Sequence, residues 1–426
     1  MTRTYSGTLF TSLLGLTIPA VSQADFLSDS KATLDARNFY FSRDFRSDTS
    51  AQSKREEWAQ GFILRAQSGY TEGAVGFGLD AVAMLGIRLD SSPDRTGTGL
   101  LPKQGDGRAA DDFSTLAPTA KVKISTTEFK VGALMPTLPL LAANYSRLVP
   151  QVFNGALLSS SDIENLTAYV GRIEKVKARD SSNFEDMTIT SMSGAFSGSA
   201  SSDGMDYLGL DYKLGSSLIL SAHHSTLDDI YRKGYLGLQY SLTIGSGKAF
   251  TEIRYFDASD EGRSIAGNVD NRTLSTNLGY KIGSHTISGG YQKSHGASAY
   301  PYLAGSDTYL FSEMLVSTFG MENERAWHAR YDLDFVAFGI PGLTFTARYV
   351  RGDQVDPEQV SGRKAANLRR SNDDGTEWER STDITYIVQS GPLKDFSIRW
   401  RNATYRSTYT DSADENRLIL SYLFKF

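Results

Sequence analysis

The last twelve residues of the chain, 415–426, constrain its fold more than any other segment. Alternate positions from Leu418 to Phe426 are leucine, tyrosine or phenylalanine. Because successive side chains of a β-strand point to opposite faces, these residues would form one apolar face. The opposite face would carry Arg417, Ser421 and Lys425. A strand with one lipid-facing side and one water-facing side is the unit of a transmembrane β-barrel, and the segment predicts such a strand.

Both ends of the chain predict export. Arg3 precedes an apolar run from Leu9 to Ile18, and small residues then flank Gln23 as they do at a cleavage site. This order is typical of a secretory signal peptide, so we expect residues 1–24 to be a signal peptide and residues 25–426 to form the mature barrel domain. The aromatic residue at the last position also resembles the C-terminal signal of bacterial outer-membrane proteins.

The composition agrees with a barrel and argues against several other classes of protein. No later stretch reaches the roughly 18 apolar residues that a membrane-spanning helix needs. Cysteine is absent, so no disulfide stabilises the fold, whereas 39 glycines, 22 tyrosines and 22 phenylalanines suit tight turns and interfacial girdles. The net charge of −5 and the absence of a dense basic run argue against nucleic-acid binding.

Alternation of apolar and polar residues recurs along the whole chain and predicts about 18 antiparallel strands. Short turns rich in glycine alternate with longer polar segments, which is the asymmetry of a membrane barrel. A soluble β-sandwich is the alternative, but it would not explain the export signals and the terminal aromatic strand together. The longer segments are predicted at 44–57, 90–118, 135–164, 257–270, 293–325, 352–376 and 407–414.

The segment 135–164 is predicted to fold inward as a constriction loop. Its run from Pro136 to Leu141 is too apolar for a loop in water, and Tyr145, Ser146 and Arg147 then supply hydrogen-bond donors and a positive charge. The alternative is a surface loop that packs on its own apolar residues. An inward loop would narrow the pore, and the charges beside it would set the selectivity.

Side chains alternate between the two faces of a strand, and we call this alternation strand parity. It predicts a wall of arginines inside the barrel. If Phe396, Ile398 and Trp400 face the lipid, Arg399 and Arg401 face the lumen, about 6.6 Å apart along the strand. The same argument, with the first strand paired to the last by barrel closure, gives the complete predicted set. The predicted lumenal arginines are Arg37, Arg43, Arg330, Arg348, Arg399, Arg401 and Arg417.

This arginine wall predicts binding of anions. A carboxylate can accept two hydrogen bonds from one guanidinium and then move to the next arginine. Because the arginines are spaced, no single site binds the anion too tightly for conduction. Asp383 lies between Arg348 and Arg399 in the predicted order of strands, as a gap or as an internal ion-pair partner. Asp229 is an inward acidic candidate on another strand. The alternative is that the arginines pair with acidic neighbours and only stabilise the wall.

Several longer strings resemble the OprD family of substrate-specific outer-membrane porins. They are 34–46, 179–187, 227–231, 329–335 and 391–396. The resemblance implies an 18-stranded monomeric barrel, with a weakly associated trimer as the alternative. It also implies an inward third loop, a basic ladder opposite an electronegative pocket, and diffusive uptake of small carboxylate-bearing molecules. The modest length favours the branch for aromatic and other monocarboxylic acids over the branch for basic amino acids.

The sequence therefore predicts an outer-membrane channel whose partners are small carboxylates and membrane lipid. There is no Gly-x-Ser-x-Gly elbow and no phosphate-binding loop, so we expect no enzymatic activity. The five histidines are scattered, and we expect no metal or other cofactor. The alternatives are a porin for basic amino acids or peptides, an unselective porin and a membrane-barrel hydrolase.

Overall fold

The computed structural model of the protein describes residues 23–46, 50, 52–356 and 374–426. Residues 1–22 of the predicted signal peptide lie outside this range, and a short helix, α1, spans Gln23–Ser28. Within the described residues, none of the helices has the length and apolar character needed to cross a membrane. Nearly all of the regular structure is β-strand, as predicted for an all-β protein.

Eighteen antiparallel strands form the wall of a closed barrel, which confirms the predicted number. They are β1 (Lys31–Phe45), β2 (Lys54–Gln67), β3 (Gly76–Asp90), β4 (Asp112–Ile124), β5 (Thr127–Leu134), β8 (Val152–Ser160), β9 (Leu166–Lys177), β12 (Met205–Leu214), β13 (Leu218–Leu227), β14 (Tyr231–Ile244), β15 (Gly247–Asp260), β16 (Asp270–Ile282), β17 (His285–His295), β19 (Arg325–Asp334), β20 (Leu343–Val355), β21 (Gly375–Ile387), β22 (Phe396–Ser407) and β23 (Ala413–Lys425). The short strands β6 (Thr137–Leu138), β7 (Leu141–Ala142), β10 (Met187–Thr190), β11 (Ser201–Ser202) and β18 (Tyr302–Leu303) lie in loops.

The first and last strands pair with each other and close the barrel. Arg43 lies opposite Glu415 in this pairing, and Phe39 lies opposite Ile419. A closed sheet has no edge strand, so the backbone N–H and C=O groups of the wall bond to neighbouring strands. Closure is what allows a sheet to stand in a bilayer, where water is not available to satisfy backbone groups.

The two ends of the barrel differ, as the sequence predicted. At the short-turn end, residues 245–246 and 283–284 connect strands as two-residue turns, and Gly245 and Gly283 adopt the left-handed backbone conformation with φ of 59° and 53°. At the long-loop end, the connections include residues 91–111, 178–204 and 296–324. We refer to these two ends by those names.

The outer face of the barrel is apolar, with aromatic pairs near both ends. Leu236 and Leu278 have 59% and 62% of their surface exposed there. The rings of Tyr291 and Trp327 lie 4.5 Å apart toward the long-loop end, and those of Tyr422 and Phe424 lie 4.6 Å apart at the short-turn end. Bands of aromatic residues on each side of an apolar belt are the outer surface that a membrane barrel requires.

Several predicted loop segments extend into wall strands, and the largest error lies at the constriction loop. The sequence placed a constriction loop at 135–164, but Val152–Ser160 form the wall strand β8. The pairing of β8 with β9 shifts register between Asn154 and Gly155, and this irregularity breaks the period-two pattern. The loop therefore ends at residue 151. The connection at 178–204 is a further long loop, which is absent from the predicted longer segments.

A charge placed on the lipid-facing side should destabilise the barrel, whereas the same charge one residue further along should not. Leu238 lies mid-strand opposite Leu220 and Ile253 on the outer face, and its neighbour Gln239 lies opposite Glu252 on the inner face. We expect Leu238→Arg to lower the free energy of unfolding by about 2–4 kcal/mol. Gln239→Arg is the matched control and should cause little loss. Urea titration of protein folded in lipid vesicles measures both, and equal losses would contradict the assigned facing.

Candidate functional site

The apolar start of the predicted constriction loop packs inside the barrel. Residues 135–151, which we name the first lumenal loop, carry the small hairpin β6–β7. Leu141 is fully buried in a cluster that includes Phe153 and Met205 of the wall. The Tyr207 hydroxyl donates a hydrogen bond to Pro139 O at 2.8 Å. The apolar side chains therefore leave water by packing on the inner wall, as the sequence predicted for an inward loop.

The tip of this loop rests on the first two strands. Arg37 Nη1 donates to Arg147 O at 3.0 Å, and Arg147 Nε donates to Thr98 O at 2.8 Å. Leu148 packs so closely on β2 that a Cβ atom at Gly61 would lie 2.9 Å from Leu148 Cγ. Glycine at position 61 thus allows the loop to lie against the wall.

A second loop also fills the lumen, and the sequence analysis missed this role. Residues 296–324, the second lumenal loop, approach the first, since Asp307 N donates to Ala142 O at 3.1 Å. The Glu379 carboxylate of β21 accepts the backbone N–H groups of Leu315, Val316 and Ser317 at 2.9, 3.1 and 3.0 Å. These three N–H groups stabilise the buried carboxylate by hydrogen bonds, and they fix this loop to the wall.

The two loops and the arginine wall enclose a cavity of about 620 Å³. Its guanidinium groups belong to Arg147, Arg179, Arg330, Arg348, Arg401 and Arg417. Asp307 and Glu313 of the second lumenal loop are the carboxylates among its lining residues. A smaller cavity of about 180 Å³ shares three of these arginines and adds Arg399 and Asp383. The larger cavity is thus lined by six guanidinium groups and two carboxylates.

Two pairs of arginines lie directly opposite each other on neighbouring strands. Arg330 of β19 faces Arg348 of β20, and Arg401 of β22 faces Arg417 of β23. Like charges in directly opposed cross-strand positions destabilise a sheet. The repulsion within each pair therefore lowers the stability of the wall, so stability alone does not explain why the arginines lie at these positions.

Carboxylates neutralise most of the predicted arginines, but not all to the same degree. Asp383 accepts a hydrogen bond from Arg399 Nε at 2.9 Å. Arg401 Nε also lies 2.9 Å from this carboxylate, but the angle is not that of a hydrogen bond, so the two groups form only an ion pair. Asp383 is thus an internal ion-pair partner. Arg330 pairs with Asp332 at 2.7 Å. Arg348 donates to Phe311 O at 2.9 Å and, among the described residues, has no carboxylate within ion-pair distance.

Arg43, Arg147 and Arg417 converge on one phenylalanine. Their Cζ atoms lie 5.6, 5.3 and 5.1 Å from the centroid of the Phe41 ring. The fully buried Glu415 accepts hydrogen bonds from Arg43 Nε at 2.7 Å and from Arg417 Nε at 2.5 Å. We call these five residues the Phe41 cluster. Arg417 also donates to Ser146 O at 3.4 Å and to Leu315 O at 3.2 Å, so it joins both lumenal loops.

Not every predicted site residue reaches the cavity. Ser146 does, and its hydroxyl accepts a hydrogen bond from Arg179 Nη1 at 2.7 Å. The Tyr145 hydroxyl lies 3.4 Å from Met135 O, and its ring does not line the cavity. Arg37 pairs with Asp35 at 2.7 Å beside the first lumenal loop.

Asp229 does not face the lumen, contrary to the prediction. It lies in the tight connection between β13 and β14, with a left-handed φ of 61°, and its half-buried carboxylate pairs with Arg263 at 2.8 Å. Strand parity does not extend through such a turn, which is why the inward assignment was wrong. Arg179 and Glu313, in contrast, lie in loops where parity gives no signal, and the sequence analysis did not select them.

The comparisons with known proteins agree with this geometry. The family model described as "outer membrane porin, OprD family" matches residues 24–426. This chain belongs to the OprD family of outer-membrane porins. It is 36% identical over 417 residues to the porin-like protein GalP of Pseudomonas putida, covering 97% of this chain and 96% of that protein.

Solved structures of this porin family share its architecture. Pseudomonas aeruginosa OccK9 (OpdG) superposes with a TM-score of 0.88 at 43% identity, covering 94% of this chain and 100% of that one. Pseudomonas aeruginosa OpdK, solved with vanillate, superposes with a TM-score of 0.85 at 35% identity, covering 94% of this chain and 100% of that one. The barrel is therefore an outer-membrane channel, with the short-turn end in the periplasm and the long-loop end outside the cell.

Removing the shared carboxylate of the Phe41 cluster should destabilise this porin. Glu415→Gln would leave Arg43, Arg147 and Arg417 close together without their acidic partner. We expect the free energy of unfolding to fall by about 3–5 kcal/mol, as when one partner of a buried ion pair is removed. The control is Asp395→Asn, which breaks an exposed pair with Lys425 and should change stability little. Similar urea midpoints for the two variants would show that Glu415 does not hold the cluster together.

The ion selectivity of the pore should depend on pH through Glu313. Burial, with a smaller effect of Asp307, raises the pKa of Glu313 to about 7. Its carboxyl is thus mainly neutral at acidic pH, and its ionisation above neutrality adds a negative charge beside Arg348. We expect anion selectivity, measured as the reversal potential in a salt gradient, to decrease between about pH 5.5 and about pH 8.5. Glu313→Gln should flatten this dependence, and an unchanged pH response would assign it to another group.

Proposed function

We propose that this porin takes up small carboxylate-bearing molecules, aromatic or other monocarboxylic acids, by diffusion along its arginine wall. The observation that carries the proposal is the cavity of about 620 Å³ with six lining guanidinium groups. An arrangement made only for stability would neutralise each arginine. In this lumen Arg330 pairs with Asp332, whereas its cross-strand neighbour Arg348 makes no ion pair among the described residues.

The chemistry of the lining suits an organic acid. A guanidinium presents parallel N–H donors that match the two oxygens of a carboxylate. Phe311, Leu310 and Met314 of the second lumenal loop line the same cavity and offer apolar contact to the rest of the solute. A cavity of this size lies in the range of about 300–1,000 Å³ that is usual for small-molecule sites.

The arginines also mark a route toward the periplasm. Arg330, Arg348 and Arg401 line both the larger and the smaller cavity. Arg399 lines only the smaller one and is nearer than Arg401 to the short-turn end of β22. An anion held by Arg348 or Arg401 can therefore move to Arg399 while Asp383 changes partners. Exchange between neighbouring sites of similar strength is what conduction requires.

The relatives support this class of substrate. OpdK was solved with vanillate, which is an aromatic monocarboxylate. The shared architecture extends over nearly the whole of both chains, and an acid of this kind combines a carboxylate for the arginines with a ring for the apolar lining. Vanillate and benzoate are thus suitable first probes.

The test is single-channel recording with these acids, comparing two arginines of the same wall. We expect benzoate or vanillate to block the current transiently, and Arg348→Gln to weaken the block by about tenfold or more, the loss of one charge-assisted interaction. Arg399→Gln is the matched control, since Asp383 already pairs with Arg399 and the effect should be smaller. Absence of block in the wild type, or equal block in wild type and Arg348→Gln, would reject the proposal and favour an unselective porin.

A channel for basic amino acids is the second candidate. Asp307 and Glu313 favour it, because they place two carboxylates on the second lumenal loop within the same cavity as the arginines. Such a cavity can bind the carboxylate and the cationic side chain of one molecule. Block by lysine or arginine that is stronger than block by benzoate, and that Glu313→Gln relieves, would support this candidate.

A further inference from the structure

The outer face of β20 and β21 carries two arginines close to the long-loop end. Val350, Glu377 and Glu379 point into the barrel and are fully buried or nearly so. Because side chains alternate along a strand, Arg351 and Arg380 point to the lipid side. Both are exposed. They are far from the lumen and take no part in the solute route described above.

Aromatic residues surround these two arginines at the level of the membrane interface. Arg351 lies directly opposite Trp327 on one side and Trp378 on the other, and Arg380 lies opposite Tyr349. The rings of Tyr349 and Trp378 lie 6.1 Å apart. Tryptophan and tyrosine on the outside of a membrane barrel mark the depth of the lipid headgroups. The two guanidinium groups therefore reach the headgroup layer of the outer leaflet.

Among the described residues, no acidic side chain compensates the charge of these two arginines. Within the described part of the chain, Arg351 has no hydrogen bond or ion pair, and Arg380 has only a contact of 3.5 Å from Nη2 to Thr404 Oγ1. Two other outward arginines near this end do have acidic partners. Arg325 pairs with Asp353 at 2.9 Å, and Arg406 pairs with Asp414 at 2.7 Å. Arg232 is another outward arginine without an acidic partner among the described residues, but its Nε donates a hydrogen bond to Ser259 Oγ at 2.9 Å. Arg351 and Arg380 differ from it because two such arginines lie next to each other.

The register brings both guanidinium groups within reach of one ligand. Arg351 lies opposite Trp378, which is two residues from Arg380 on β21, so the two arginines are diagonal neighbours on one face. Such neighbours lie about 7–8 Å apart, within the span of long side chains. Two forked donors at this spacing match a phosphate group better than a single lysine would.

We propose that Arg351 and Arg380 bind a phosphate group of the phosphorylated glycolipid of the outer leaflet, the lipid A part of lipopolysaccharide. The acyl chains would lie on the apolar wall below, and the rings of Trp378 and Tyr349 would contact the sugars of the headgroup. Charge complementarity favours this lipid, because uncompensated cations in the headgroup layer attract anionic headgroups. The site assigns a lipid-binding function to the outer surface, independent of the substrate proposed for the lumen.

The test is lipid binding to the purified full-length porin in detergent, followed by native mass spectrometry. The probes are diphosphoryl lipid A and the same lipid without its phosphates. We expect the wild type to bind the phosphorylated form tighter by about tenfold or more. Arg351→Gln/Arg380→Gln should lose this preference, and Arg406→Gln, an outward arginine with an acidic partner, should keep it. Unchanged single-channel conductance would show that the double variant is folded.

Three outcomes would overturn the proposal. The double variant could retain the preference for phosphorylated lipid, or the wild type could show none. Inorganic phosphate could also displace lipid A at equal concentration, which would indicate a general anion site without a contribution from the lipid. Loss of the preference in the double variant, with no displacement by inorganic phosphate, would support a site for the glycolipid.

Discussion

The structure depends on one constraint: no backbone N–H or C=O group of the wall can be left without a partner inside a bilayer. The pairing of β1 with β23 meets this constraint by closing the sheet. The same pairing places Arg43 beside Glu415 and brings the first strand next to Arg417. Residues from opposite ends of the chain thus form the Phe41 cluster, and the first lumenal loop rests against it. Closure therefore determines both the stability of the barrel in lipid and the location of its charged site.

The lumen combines positive charge with partial neutralisation. Two directly opposed pairs of arginines weaken the sheet, and Asp332, Asp383 and Glu415 reduce that repulsion. Among the described residues, Arg147, Arg179 and Arg348 of the cavity have neutral hydrogen-bond partners and no ion pair, and Arg348 is held by a backbone carbonyl oxygen. A carbonyl orients a guanidinium without cancelling its charge. This difference between orienting and neutralising partners separates an arginine that can bind a solute from one that maintains the wall.

Much of the fold and part of the site could be predicted from the sequence, because strand parity is a local property. The facing of Arg401 follows from its neighbour Trp400 alone, and the apolar run after Pro136 is enough to indicate an inward loop. Other features depend on distant partners. The second lumenal loop lies inward because Glu379, more than sixty residues away, accepts its N–H groups. Asp229 was misplaced because a left-handed turn interrupts parity, and β8 was missed because its register shifts.

The contribution of both chain ends to one wall has a consequence for biogenesis. Arg37 and Arg43 belong to the first strand of the barrel, whereas Arg401 and Arg417 belong to the last two. Until β1 pairs with β23, the carbonyl groups of the first lumenal loop have no Arg417 to accept hydrogen bonds from. The arginines of the first strand and those of the last two strands then lie apart. A partly assembled barrel would therefore lack the contacts that hold the first lumenal loop and the continuous arginine wall proposed as the anion route. If the arginine wall selects the solute as proposed, selectivity arises only when the barrel is complete.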